Sequence, residues 1–178
     1  MKKKIAIILG SKSDLIWPAG QCFGGLLFLT DFPEIEVTVH IRSQHRNTLD
    51  LQQVLKELSD NKVDVIIAGA GWANHLTGCV DAFLRYELKN DFTRVIGVAF
   101  EDKNNERHTQ AAILSITEVP GTQVIFRKEF IGDHGLYRAC QLAVSPELDD
   151  LPAIKLPTAK PPEDLSLAEA LALSREPK

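Results

Sequence analysis

Three short stretches gather the side chains of this chain that could do chemistry: "GSKSD" (Gly10 to Asp14), "SQHR" (Ser43 to Arg46) and "GAGWANHLTG" (Gly69 to Gly78). In the first, Ser11 and Ser13 offer hydroxyls, and Asp14 offers a carboxylate that can accept from ribose hydroxyls. Gly10 permits a sharp turn, and a helix opening just beyond it would aim backbone N–H groups at an anion. The stretch therefore reads as a phosphate seat. It reads equally as a strand-to-helix turn in which Ser13 or Asp14 caps the helix. It is no Walker loop, because the Gly-Lys-Ser/Thr ending is missing. In the second stretch, His45 titrates near neutral pH and can give or take a proton. Arg46 beside it can clamp a phosphate bidentately, although a solvated His-Arg pair on a surface loop would look the same. In the third, Gly69, Gly71 and Gly78 allow close backbone approach, and His75 adds a polar group. Its glycine spacing is not that of a dinucleotide-binding loop. Trp17 and Trp72 could stack on a ligand, with helix packing the plainer role for Trp17. His40, inside a strand, and His108 and His134, in charged loops, read as structural or solvated. No spacing of histidines with carboxylates suggests a metal site.

The elements around these stretches alternate. Ile5 to Leu9 ("IAIIL") is a continuous apolar run, as expected of a strand covered on both faces. Leu15 to Thr30 has helical spacing, weakened by Gly24 and Gly25. Ile35 to Ile41 alternates apolar and polar, which suits a strand towards an edge. Leu49 to Leu58 is an amphipathic helix with Leu51, Val54, Leu55 and Leu58 on one side. Val63 to Ala68 is a third strand, Cys79 to Tyr86 a helix, and Val95 to Phe100 a fourth strand. This order predicts an α/β fold, a three-layer α/β/α doubly wound parallel sheet of flavodoxin-like or Rossmann-like type. Ligands in such folds sit beyond the carboxyl ends of the strands. All three chemical stretches follow strands, so they should converge on one rim.

Further along, Glu101 to Gln110 reads as a charged loop. Ala111 to Thr117 reads as a short helix, Thr122 to Arg127 as a strand, and Gly135 to Val144 as a helix. Ser145 to Pro162 holds five prolines and reads as an extended connector. The segment from Ser166 is an amphipathic helix opened by a Ser-x-x-Glu capping box, Ser166 and Glu169. So short a helix is unstable alone and should dock on its own domain or on a neighbouring subunit. The organisation expected is one domain over 1–145, then a connector and C-terminal oligomerisation helix over 146–178.

Composition narrows the classes. The chain has 178 residues, 44% hydrophobic and 25% charged, which suits one soluble domain. A net charge of -4 argues against a nucleic-acid partner. Cys22, Cys79 and Cys140 are odd in number and form no CxxC pair, so neither a disulfide framework nor a zinc site is indicated. The apolar run of the N-terminal segment is too short for a signal peptide or a membrane span. The expectation is a cytoplasmic protein with no membrane partner.

In this order and spacing, "GSKSD … SQHR … AGAGWANHLTG" resembles the PurE family, the aminoimidazole ribonucleotide carboxylases and mutases of purine biosynthesis. The resemblance covers roughly residues 5 to 100. It implies a homo-oligomer, usually an octamer, with the C-terminal helix reaching onto another subunit. It implies that Ser11, Ser13 and Asp14 hold the phosphate and ribose of a small-molecule ribonucleotide. His45 would be the acid/base, beside Ser43 and a phosphate-binding Arg46. Ala70, Gly71, His75 and Leu76 would enclose the imidazole and the migrating carboxylate. The implied reaction places a carboxyl group on carbon 4 of the aminoimidazole ring, with no metal, biotin or other cofactor.

The pattern also has departures. Gln44, Trp72 and Asn74 stand where the family has small residues. Asn74 and "VDAF" resemble the branch that uses free carbon dioxide, whereas His75 and Arg46 resemble the mutase branch. The family's Met-Pro-x-Gly-x-Pro-Val loop survives only as Pro120 and Gly121. Two other readings follow: a paralogue acting on another carboxylated heterocyclic mononucleotide, or a nucleotide- or phosphate-binding module without turnover.

Overall fold

The computed structural model describes residues 2–16 and 22–175. Four parallel strands, β1 (Lys4–Leu9), β2 (Glu36–Ile41), β3 (Val65–Ala70) and β4 (Arg94–Ala99), form one sheet in the order β2-β1-β3-β4. The order reverses beside β1, which pairs with β2 from Lys4↔Glu36 and with β3 from Ile5↔Val65. Such a reversal opens a crevice at the carboxyl ends of the strands. The expected edge strand is β2, and it is the most exposed of the four.

Strand side chains alternate between two apolar layers, because successive residues point to opposite faces. Ile5, Ile7, Leu9, Val65, Ile67, Ile96 and Val98 pack beneath α2 (Phe23–Leu29) and α6 (Gly135–Val144). Ala6, Ile8, Ile66, Ala68 and Val95 pack against α3 (Thr48–Asp60) and α4 (His75–Ala82). The α3 stripe of Leu51, Val54, Leu55 and Leu58 is buried as its periodicity predicts. This is the three-layer α/β/α architecture.

Five boundaries differ from the sequence reading. The helix expected over Leu15 to Thr30 consists, among the described residues, of α1 (Lys12–Ile16) and α2, and Trp17 lies outside those residues. The loop expected over Gly69 to Gly78 is shorter: β3 runs on to Ala70 and α4 begins at His75. The charged loop ends early, because α5 (Glu106–Thr117) starts well before its first buried residue, Ala112, so His108 stands on a helix. The strand expected over Thr122 to Arg127 reduces to a single parallel bridge, Ile96↔Ile125. Tyr86 lies in a π-helical turn, Phe83–Glu87, rather than in α4 itself.

Beneath that turn, Asp81 and Arg85 form a buried ion pair at 3.1 Å. Asp81 also accepts from the Gln123 N–H at 2.9 Å, and Arg85 donates to the carbonyls of Asn90 and Thr93 at 2.7 Å each. The aspartate of "VDAF" thus braces the scaffold. Beyond Leu148 the chain forms no regular element until α7 (Leu167–Leu173), whose capping box is formed. None of the residues of α7 is buried. All three cysteines are free, and burial pushes the thiols of Cys22 and Cys140 up to about 12.

Candidate active site

Beyond the carboxyl ends of β1, β3 and β4 lies a cavity of about 610 Å³, a size that suits a small-molecule ligand. Ser11, Ser13, Asp14, Ser43, His45, Arg46, Ala70, Gly71, His75 and Leu76 all border it. The sheet ladder continues past the strand ends, with the Gly10 N–H donating to the Gly69 carbonyl at 3.1 Å and that of Phe100 to Ala70 at 3.2 Å. These bonds draw the loops to one rim.

In the first loop, the Ser11 and Ser13 hydroxyls lie 2.5 Å apart, and the Asp14 N–H donates to Ser11 Oγ at 3.3 Å. Burial raises the Asp14 carboxyl above its ordinary range, opposed by hydrogen bonds from Ser11 and the Gly71 amide and by the charge of Arg46. The following helix, α1, is a single turn. An anion placed here would meet the hydroxyls and Arg46 rather than a helix macrodipole. Gly10 is required by close approach: a Cβ there would sit 3.0 Å from that of Ala70 and 3.1 Å from an Asp14 carboxylate oxygen.

In the second loop, Ser43 is buried, and its Oγ accepts from the N–H groups of His45 at 3.2 Å and Arg46 at 3.3 Å. Ser43 therefore shapes the turn that presents both side chains. Arg46 reaches across to the Gly10 carbonyl at 3.2 Å, spanning the first and second loops. His45 Nε2 lies 2.9 Å from His75 Nδ1, with the rings nearly perpendicular at 83°. One of these nitrogens must carry a proton and the other must not. The two rings thus share one proton in their hydrogen bond.

His75 is placed by its neighbour. Asn74 is fully buried and caps α4, accepting from the Thr77 N–H at 3.2 Å while donating to the Val98 carbonyl at 2.9 Å. It pins the start of α4 to β4, and His75 is the next residue.

Several wall residues escaped the sequence reading. Ala73, Phe100, Glu101 and Asp102 also line the cavity. Their signal was the one used for the other loops, since "FED" follows the fourth strand. His108, expected in a charged loop as a structural or solvated residue, stacks on Trp72 with centroids 3.8 Å apart and 19° between planes. His40 bonds its near neighbour Thr38 at 3.0 Å and does not border the cavity. Among the described residues, no group of His, Cys, Asp or Glu has an arrangement suited to a metal ion, and no helix is long and apolar enough to cross a membrane.

The parallel 2-1-3-4 sheet with its cavity at the reversal defines a flavodoxin-like α/β protein. The profile of the AIR carboxylase family matches residues 4–129, and the chain belongs to that family. It is 31% identical over 163 residues to the N5-carboxyaminoimidazole ribonucleotide mutase of Pyrococcus abyssi, a match covering 91% of this chain and 83% of the relative. It is 33% identical over 117 residues to the enzyme of that name from Saccharolobus solfataricus, covering 66% of this chain and 65% of the relative. The match to the Aliivibrio fischeri relative spans only 47% of that protein. In structure, the chain resembles Treponema denticola PurE, with a TM-score of 0.56, 21% identity, and coverage of 83% of this chain and 85% of that one.

Proposed function

We propose that this chain transfers a carboxyl group onto carbon 4 of aminoimidazole ribonucleotide, as a mutase that starts from the N-carboxylated nucleotide. The observation that carries the reading is the His45–His75 pair, 2.9 Å apart, in the same cavity as Ser11, Ser13, Asp14 and Arg46. The names of the relatives support the mutase branch, and so do His75 and Arg46.

In this reading Arg46 and the hydroxyls of Ser11 and Ser13 hold the phosphate, and Asp14 accepts from the ribose. The carbamate N–C bond breaks, its electron pair stays on nitrogen, which takes a proton from His45, and carbon dioxide is held in the cavity; His45 is left as the base for the later step. Carbon 4 then attacks carbon dioxide, forming the new C–C bond. His45 takes the ring proton from carbon 4, and His75 shares that proton through their hydrogen bond. Ala70, Gly71 and Leu76 enclose the ring. The gain comes from positioning and from one aimed proton transfer. The chain would act in the cytoplasm as a homo-oligomer, an octamer by family resemblance, through the segment over 146–178.

The test is an absorbance assay with three substrates: aminoimidazole ribonucleotide with bicarbonate, its N-carboxylated form, and its carbon-4-carboxylated form. Interconversion of the two carboxylated forms is the expected result, and turnover only with bicarbonate would assign the other branch. His45→Asn should lower kcat at least about 100-fold, the scale of a lost general acid/base, and leave ligand affinity within a few-fold. Retained turnover in that variant would sink the mechanism.

A further inference from the structure

Packing does not account for Trp72. Its side chain borders the cavity, yet the residue is 65% exposed. Its backbone sits at φ 56°, a left-handed conformation that bulky residues rarely adopt. Strain of this kind persists where the surroundings fix it, and it gathers at ligand-binding sites.

The surroundings here are specific. The His108 ring covers the indole at 3.8 Å without itself lining the cavity, so it backs the indole. Both imidazole nitrogens of His108 are held. Nδ1 lies 2.7 Å from Asp102 Oδ2, and Nε2 lies 3.1 Å from Asn105 Nδ2. The Asn105 amide cannot turn freely, because its oxygen caps α5 by accepting from the Arg107 N–H at 3.1 Å. Nε2 is therefore the acceptor and Nδ1 carries the hydrogen. Asp102 is fixed in turn: it accepts from the Asn104 N–H and donates its own N–H to Thr109 Oγ1, each at 2.9 Å. A chain of hydrogen bonds thus runs from the cavity wall to the cap of α5, and it holds a flat aromatic surface at the rim.

We infer that Trp72 is the stacking wall for the ligand's planar heterocycle, with His108 and Asp102 as positioning residues that hold the indole. The inference rests on the proposed ribonucleotide reading and adds how the ring is recognised. Stacking selects for a flat π-face and tolerates its substituents. The pocket then takes heterocyclic ribonucleotides in preference to ribose phosphates that lack a ring.

The test uses the full chain with Trp17→Phe, which leaves Trp72 as the only tryptophan. Its emission is followed during titration with aminoimidazole ribonucleotide and, separately, with ribose 5-phosphate, with calorimetry alongside. The nucleotide should quench Trp72 to saturation. Ribose 5-phosphate should compete for the site without quenching. Trp72→Gly, which suits the backbone conformation, should weaken the nucleotide about tenfold or more, within the range for base stacking on aromatic side chains, and leave ribose 5-phosphate unchanged. His108→Ala should weaken the nucleotide alone, and His108→Phe should restore it by keeping a ring behind the indole. Nucleotide binding with unchanged emission and unchanged affinity in Trp72→Gly would overturn the stacking wall and leave the proposed function standing. Failure of the nucleotide to bind at all would overturn both. Emission that follows protein concentration rather than ligand would assign Trp72 to a contact between copies, and overturn the wall.

Discussion

Asn74 gives the sharpest test of how the site is held. Its side chain makes the cap on the Thr77 amide and the bond to the Val98 carbonyl, both inside the protein. Asn74→Ala removes a cap of about 1 kcal/mol and a buried hydrogen bond of about 1 kcal/mol. The Thr77 hydroxyl keeps its bond to the Ala68 carbonyl at 3.0 Å, so nothing is added for it. The sum is about 2 kcal/mol, or a fall in Tm of about 4–8 °C for a chain of this size. Asn74→Asp separates the two bonds. Its carboxylate can still accept from Thr77, but it faces the Val98 carbonyl without a proton to donate. Buried there, its pKa in the folded state must rise above the unfolded value of about 3.9. The folded state then binds the proton more tightly, so Asn74→Asp regains stability as pH falls through that raised value. Asn74→Ala, having no such group, shows no regain. Urea unfolding of the wild type and both variants at pH 7 and pH 5 measures this. A loss below about 0.5 kcal/mol for the alanine variant, or an aspartate variant as stable as wild type at pH 7, would refute the account of the pin.

Three further expectations follow from the same structure. Burial raises the Asp14 carboxyl, so its charge costs the folded state stability at neutral pH, and Asp14→Asn should melt higher at pH 7. That gain should shrink as pH falls through the raised native value towards the ordinary 3.8, where the wild-type carboxyl is already neutral in the folded state. The same variant should bind nucleotide about tenfold or more weakly by calorimetry, on the scale of a lost charged hydrogen bond. Removing residues 163–178 should reduce the sedimentation coefficient of the assembly. Leu167, Leu171 and Leu173 are 79%, 45% and 51% exposed and require a covering surface, and an unchanged coefficient would reject that role for α7.

The strands and the converging loops were legible because buried parallel strands announce themselves as apolar runs, and polar residues straight after them mark the rim. The cavity brings together all ten residues that the family resemblance places at the site. What escaped had no local signal. The start of α5 is polar throughout, so no apolar period marked it, although Asn105 is a fair capping residue. Asn74 read as a departure from a small-residue pattern, and only the fold shows its amide wedged between α4 and β4. The Trp72–His108 stack joins a residue of the third loop to one on α5, and nothing in either stretch alone points to the other.

The position of β1 carries a consequence for synthesis. It is the first strand made, yet it lies inside the sheet, with Ile5 opposite Val65 on one side and Val37 on the other. At about 5–20 residues per second, the 60 residues from Ile5 to Val65 take about 3–12 s to emerge. Through that interval "IAIIL" has an apolar face and an open edge with no inner partner. The nascent chain is therefore most open to aggregation, and most dependent on holdase chaperones, in the seconds before β3 leaves the ribosome, and the first rim loop waits on the same event.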